Sequence, residues 1–335
     1  MAKWRTGLGL FALLLVLNSV LYLVIARVDV PLRLLYPADV VVSILFVSLP
    51  IFALYAGANF SWRWAHALGA IAGGVAIQAG LSVLAENTPS APIVNAAVSF
   101  GQAGLILWCM GLGAFIACML KDRNLILPIS VFLALFDVWL VLVPEGLVGQ
   151  ILREHPEQVS KVMYHVPQVG SIAHGGRVAD LAYIGPADFV FLAMFFVALY
   201  RFQMRTRATF YAIVPVLAAY MLLVLVAGNV HLGSVPLRAL PALLPIGAVV
   251  LLVNWPEFKL TRDEKLSTLV IGLIAFALVS WRMAIHWHDL AGQAEPLPME
   301  HGQVTLAPPN LPPPAPGGPG AIRRPPSPRG RPSPP

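Results

Sequence analysis

Long apolar runs recur along most of the chain, and short stretches that carry charged residues separate them. A helix needs about 17–25 predominantly apolar residues to cross the hydrocarbon layer of a bilayer. The predicted spans are residues 6–26, 38–57, 65–85, 95–120, 124–144, 180–200, 208–228, 238–254 and 266–285. We therefore expect an all-α, polytopic membrane protein with about nine transmembrane helices in a lipid bilayer.

The composition also favours a membrane protein. Of the 335 residues, 58% are hydrophobic and only 11% are charged, whereas soluble proteins usually carry about 25% charged residues. The net charge of +6 comes from basic residues that flank the apolar runs, as membrane topology requires. The sequence contains no basic cluster with interleaved aromatic residues, so we expect no binding to nucleic acid.

The pattern divides the chain into two parts. Residues 1–290 are expected to form one transmembrane helical domain. From residue 291 the composition becomes Pro-rich and loses its apolar period. We expect residues 291–335 to form a disordered tail with polyproline II character.

The distribution of lysine and arginine predicts the orientation in the membrane. With the N-terminus inside, the inner segments hold 11 of these residues and the outer loops hold 6. Most of this bias comes from the clusters at 201–207 and 259–265. The lack of organelle signals and the compact form favour a prokaryotic plasma membrane.

Two aspartates lie inside predicted spans. An ionised carboxylate in hydrocarbon costs at least about 2.5–3.5 kcal/mol, so Asp137 and Asp188 are candidates for function. Asp137 follows Arg123 by 14 residues, and Asp188 precedes Arg201 by 13 residues. At about 1.5 Å per residue, each aspartate lies roughly 20 Å from its basic neighbour. The two consecutive spans are antiparallel, so both carboxylates are expected at the same depth.

Paired carboxylates at one depth fit two kinds of chemistry. In a protease, one ionised aspartate takes a proton from water, while its protonated partner polarises the scissile carbonyl and helps to protonate the leaving nitrogen. In a proton-coupled transporter, the pair carries protons. A transporter of that kind often has inverted repeats, and residues 1–120 contain no counterpart of the aspartate-bearing spans.

Metal or disulfide chemistry is not expected. Cys109 and Cys118 lie about 13 Å apart along one predicted helix, which is too far for a disulfide. The histidines of the loop at 145–179 match no metal-ligand spacing. We expect neither a metal nor a cofactor.

A third segment contributes a candidate binding loop. Residues 238–247 read RALPALLPIG, and Pro241 and Pro245 remove two backbone donors inside a predicted span. Freed backbone groups in a membrane are tolerated where protein or a watery cavity receives them. Such a loop could hold an unwound substrate by main-chain hydrogen bonds.

These three segments together resemble the motifs of the presenilin and signal peptide peptidase family. The matching stretches are Phe136–Asp137, Gly185–Phe189 (GPADF) and Pro241–Leu243, in that order on three spans within about 120–255. The family's intramembrane aspartyl proteases carry Tyr-Asp, Gly-x-Gly-Asp and Pro-Ala-Leu. The resemblance implies that Asp137 and Asp188 form the catalytic pair. It also implies that substrate contacts come from Pro241, Ala242, Leu243, Gly185 and Phe136.

The resemblance implies a presenilin-like arrangement and transmembrane peptide substrates, and its departures leave an inactive, helix-binding relative open. Phe136 stands where the family has Tyr, and Ala187 stands where it has Gly. The aspartates fall on the fifth and sixth predicted spans rather than the sixth and seventh. With the N-terminus inside, the orientation resembles that of signal peptide peptidase, so type II segments such as signal-peptide remnants are the expected substrates.

Overall fold

The computed structural model describes residues 2–142, 161–171, 176–227, 231–232, 235–236 and 242–292. Within these ranges the chain forms nine α-helices. They are α1 (Ala2–Ile25), α2 (Leu32–Ala58), α3 (Trp64–Asn87), α4 (Ala91–Met119), α5 (Ile126–Leu142), α6 (Pro186–Arg201), α7 (Thr206–Ala227), α8 (Leu243–Asn254) and α9 (Arg262–Gly292). The expected tail from residue 293 onward lies outside the described residues.

The all-α expectation is confirmed, and six helices are long and apolar enough to cross a membrane. These are α1 to α4, α7 and α9. The three helices next to the motifs are shorter: α5 has 17 residues, α6 has 16 and α8 has 12. The six long helices are consistent with a membrane protein.

The prediction of a span over 180–200 was wrong at its beginning. Asp180–Ile184 is strand β2, which pairs antiparallel with β1 (Tyr164–Pro167). Helix α6 begins only at Pro186, where the missing N–H of proline costs nothing because the first turn has no acceptor for it. A second short antiparallel pair, β3 (His231–Leu232) and β4 (Val235–Pro236), precedes α8.

The β1–β2 hairpin is attached to the helices by polar contacts and aromatic packing. The Tyr164 hydroxyl donates to Asn18 Oδ1 at 2.7 Å, and its ring contacts Phe189 of α6 edge to face. Burial raises the pKa of Tyr164, so the hydroxyl remains a donor. On β2, Asp180 lies 2.7 Å from His165 Nδ1 and accepts a bond from the Tyr22 hydroxyl. The hairpin is therefore fixed over the N-terminal end of α6.

Helix α4 packs closely against α3 on one side and α6 on the other. A Cβ added at Gly74 of α3 would lie 2.5 Å from the Trp108 nitrogen, and one added at Gly113 would lie 2.5 Å from the Val190 oxygen of α6. Arg201, at the end of α6, donates to the carbonyls of Ala117 and Leu120, which are free at the C-terminus of α4. These contacts fix the position of α6 against α4.

Helices α5, α7, α8 and α9 are joined by further contacts. Gly247 of α8 approaches the Ser130 carbonyl of α5, since an added Cβ would lie 3.1 Å from it. Asn254, at the end of α8, donates to Thr209 of α7 and accepts from the Arg205 backbone. The start of α8 is consequently held against α5.

Candidate active site

Asp137 lies on α5 with 8% of its surface exposed. Its Oδ2 accepts a hydrogen bond of 2.8 Å from the backbone N–H of Leu243, the first residue of α8. The first N–H groups of a helix have no partner within the helix, and a carboxylate there also interacts favourably with the helix dipole. Asp137 thereby caps α8 from a different helix.

Asp188 is the third residue of α6 and is partly buried. The charge of Asp137 acts on the Asp188 carboxyl, so the two groups share one electrostatic neighbourhood although they come from different helices. Gly185 lies beside this carboxyl, because a Cβ added there would be 3.8 Å from Asp188 Oδ2. The structure thus brings together Asp137, Asp188, Gly185 and Leu243 from the predicted site.

The Pro-Ala-Leu segment has a different geometry from the one expected. Pro241 lies outside the described residues. Ala242 precedes α8, and Leu243 is buried while its N–H is bound to Asp137. Pro245 lies in the first turn of α8, where its missing donor is tolerated. The expectation of a helix from residue 238 with an irregular outer end was therefore wrong for residues 242–254, because the helix begins at Leu243 and continues regularly.

Phe136 faces away from the two carboxyls. Its ring is 36% exposed and stacks on Phe132, and Trp139 lies beside it at 5.6 Å. Successive residues of a helix point about 100° apart, so Phe136 and Asp137 occupy different faces of α5. Phe136 belongs to an aromatic row on the outer surface of α5.

Ala187 fits its position without strain. It lies in the first turn of α6 with an exposed side chain. Among the described non-glycine residues, only Gln203 has a positive φ. No unusual backbone conformation at Ala187 requires glycine.

Tyr220 of α7 is a site residue that the sequence analysis missed. The charges of both Asp137 and Asp188 act on its hydroxyl. This hydroxyl is buried and has no hydrogen-bond partner within the described part of the chain. The depth argument used for the aspartates would have found it, because Tyr220 follows Arg207 by 13 residues. A phenol at this point can donate to an oxygen or accept a proton-bearing group.

The described residues contain no group of three or more His, Cys, Asp or Glu side chains that could hold a metal ion. Comparison with known proteins adds no relative, since no family model, no curated protein and no solved structure matches the chain. The chemistry of the site therefore has to be argued from its own residues.

Proposed function

We propose that the protein is an intramembrane aspartyl protease that hydrolyses peptide bonds within transmembrane helices. The observation that carries this proposal is the meeting of three elements. Asp137 on α5 interacts with Asp188 on α6 and accepts the N–H of Leu243 at the start of α8. The same three segments carry the motifs that resemble the presenilin and signal peptide peptidase family.

The pair of carboxyl groups supplies general acid–base catalysis without a cofactor. One oxygen of Asp137 is held by Leu243, so its other oxygen is available to a water molecule. Ionised Asp137 takes a proton from that water, and the hydroxide adds to the scissile carbonyl carbon. Protonated Asp188 donates to the carbonyl oxygen. When the C–N bond breaks, the amine leaves with the proton that Asp137 accepted, and the products are a carboxyl group and an amine.

The proposal includes nine transmembrane helices in a presenilin-like arrangement. Helices α5 and α6 are close to the shortest length that spans hydrocarbon. Helix α8 covers only about 18 Å, so it begins inside the membrane, at the depth of Asp137. A helix that starts at this depth leaves room for water and an unwound substrate, since irregular backbone in a membrane lines protein or a watery cavity.

The orientation of the site in the membrane indicates the substrate class. We place the N-terminus on the inner side of a prokaryotic plasma membrane, because lysine and arginine are more frequent in the inner segments. The span that carries Asp137 then runs from inside to outside. The substrates are transmembrane peptides of type II orientation.

Two structural features argue for activity rather than an inactive relative. Ala187 occupies a helical position that accepts any side chain. Tyr220 offers a hydroxyl to the carboxyl pair, which Phe136 lacks.

A proton-coupled transporter is the second candidate. Discontinuous helices whose N-termini lie at mid-depth are typical of transporter ion sites, and α8 begins in this way beside Asp137. Proton uptake into liposomes, driven by a candidate substrate and lost in the aspartate variants, distinguishes this function from proteolysis.

The proposed function is tested with the purified protein in liposomes and a labelled type II transmembrane peptide. Mass spectrometry of the products is expected to show a cut within the transmembrane segment. Asp137→Asn and Asp188→Asn are each expected to abolish it, whereas Asp29→Asn, at an exposed position outside the site, retains it. Cleavage that persists in both site variants would contradict the proposal, as would intact peptide after incubation with the folded parent across a panel of helices.

A further inference from the structure

A cavity of about 470 Å³ lies between α3, α4 and the segments that contain Lys161–His165 and Arg177. Neither Asp137 nor Asp188 lines it. Its volume falls in the range of about 300–1,000 Å³ that is typical of ligand pockets. The walls from α4 are mostly small and apolar and include Ala97, Val98 and Gly101. The cavity is thus a second, separate site.

Gln102 lines this cavity with an amide that has no partner. The residue is 3% exposed. Neither its Oε1 nor its Nε2 finds a hydrogen bond among the described residues. Leaving a buried polar group unsatisfied is unfavourable. The amide can be satisfied by a ligand that both accepts and donates a hydrogen bond.

Neighbouring amides show which ligand chemistry fits this arrangement. Asn95 precedes Gln102 by seven residues on α4, which is about two turns and nearly the same face. Its Nδ2 donates to the Gly176 carbonyl, and its Oδ1 accepts the Val178 N–H. On α3, Gln78 Nε2 donates to the Lys161 carbonyl. Both side chains therefore bind extended main chain on the same side of the protein.

The mouth of the cavity adds a charge preference. Lys161 and Glu86 form an ion pair of 2.6 Å and largely neutralise each other. Arg177 also lines the mouth, is exposed, and makes no ion pair within the described part of the chain. The mouth is consequently positive and favours an acidic ligand.

We propose that this cavity binds an extended polypeptide segment with an acidic side chain. Its main-chain carbonyl accepts from Gln102 Nε2, and its N–H donates to Oε1. Small side chains lie against Ala97 and Gly101, and the acidic group pairs with Arg177.

The location of the cavity suggests which part of a substrate it holds. The Cys109 thiol donates to the Pro186 carbonyl at the start of α6. Gln102 lies seven residues from Cys109, or roughly 10 Å toward the Ala91 end of α4. If the proposed protease function holds, the cavity takes the part of the substrate just outside the cleaved helix. That role rests on the proposed function, whereas peptide binding itself does not require cleavage.

The binding site is tested with the full-length protein in lipid nanodiscs and a fluorescein-labelled peptide, Ala-Val-Ala-Asp-Ala, followed by fluorescence anisotropy. Saturable binding is expected. A fully N-methylated form of the peptide, which lacks main-chain donors, is expected to bind at least about tenfold more weakly. Because Asp137→Asn leaves the cavity intact, it is expected to bind the peptide normally, so the result is independent of proteolysis.

Variants of the cavity separate recognition from folding. Gln102→Leu is expected to weaken peptide binding about tenfold without lowering the melting temperature, since it removes an unsatisfied amide. Arg177→Gln is expected to weaken binding of the Asp peptide but not of its Asn counterpart, and Arg33→Gln, away from the cavity, to change neither. Absent saturable binding, equal binding of the N-methylated peptide, or unchanged binding by Gln102→Leu would each overturn the proposal.

Discussion

The carboxylate of Asp137 accepts the backbone N–H of Leu243 at 2.8 Å, although 106 residues separate them in sequence. This bond joins an aspartate in the middle of α5 to the first residue of α8. It gives the aspartate two roles, because the same group caps a helix and faces Asp188. A change at Asp137 is therefore expected to affect stability and chemistry separately.

Asp137→Ala is expected to lower the free energy of unfolding by about 1–3 kcal/mol, because the buried N–H of Leu243 loses its acceptor. Asp137→Asn keeps an amide oxygen that can accept this N–H, so its stability is expected to lie close to that of the parent. Both variants lose proteolysis. Thermal unfolding in detergent and the cleavage assay measure the two effects. Equal stability of Asp137→Ala and Asp137→Asn would contradict the capping role.

Tyr220→Phe is expected to slow cleavage by roughly tenfold to a hundredfold, since it removes a hydroxyl that can donate to charge developing between the aspartates. Its stability is expected to be unchanged or slightly higher, because the buried hydroxyl has no hydrogen-bond partner among the described residues. Tyr211→Phe is the matched control on the same helix, where the side chain is 73% exposed. A full cleavage rate in Tyr220→Phe would exclude this role.

The arrangement of the helices follows from the sequence more closely than the site does. Each predicted span contains one helix, because apolar runs of this length fold in only one way in hydrocarbon. The start of α6 was missed because Asp180–Ile184 pairs with β1, and pairing between segments 15 or more residues apart leaves no periodic signal. The side-chain depths of Asp137 and Asp188 could be calculated from neighbouring arginines, and Tyr220 obeys the same arithmetic.

The bond from Leu243 to Asp137 could not be predicted from the sequence. It requires α8 to begin beside α5, and this depends on the approach of Gly247 to Ser130. A helix start and a close approach between distant helices are tertiary properties. The Pro-Ala-Leu motif indicated a binding loop, but it gave no sign that the Leu243 N–H is already used within the protein.

Gly113→Ala is expected to lower stability by about 1–3 kcal/mol and to reduce cleavage, because the added Cβ would lie 2.5 Å from the Val190 oxygen and push α6 away from α4. Asp188 lies on α6 and would move with it. Gly73→Ala is the control, since a Cβ there meets nothing within 4 Å. The control is expected to be neutral or stabilising by up to about 1 kcal/mol. Equal effects of the two substitutions would show that α4 and α6 are not closely packed.

The orientation of the β1–β2 hairpin decides which substrates can reach the aspartates. If the N-terminus is inside, a cysteine at the exposed position Tyr183 faces the outer side, and one at Ala208, near the start of α7, faces the inner side. In intact cells a membrane-impermeant maleimide is expected to label Tyr183→Cys but not Ala208→Cys, and to label both after lysis. The two native cysteines are buried or partly buried, and the parent protein measures their background. The reverse labelling pattern would place the hairpin inside, and the site would then accept segments of type I rather than type II orientation.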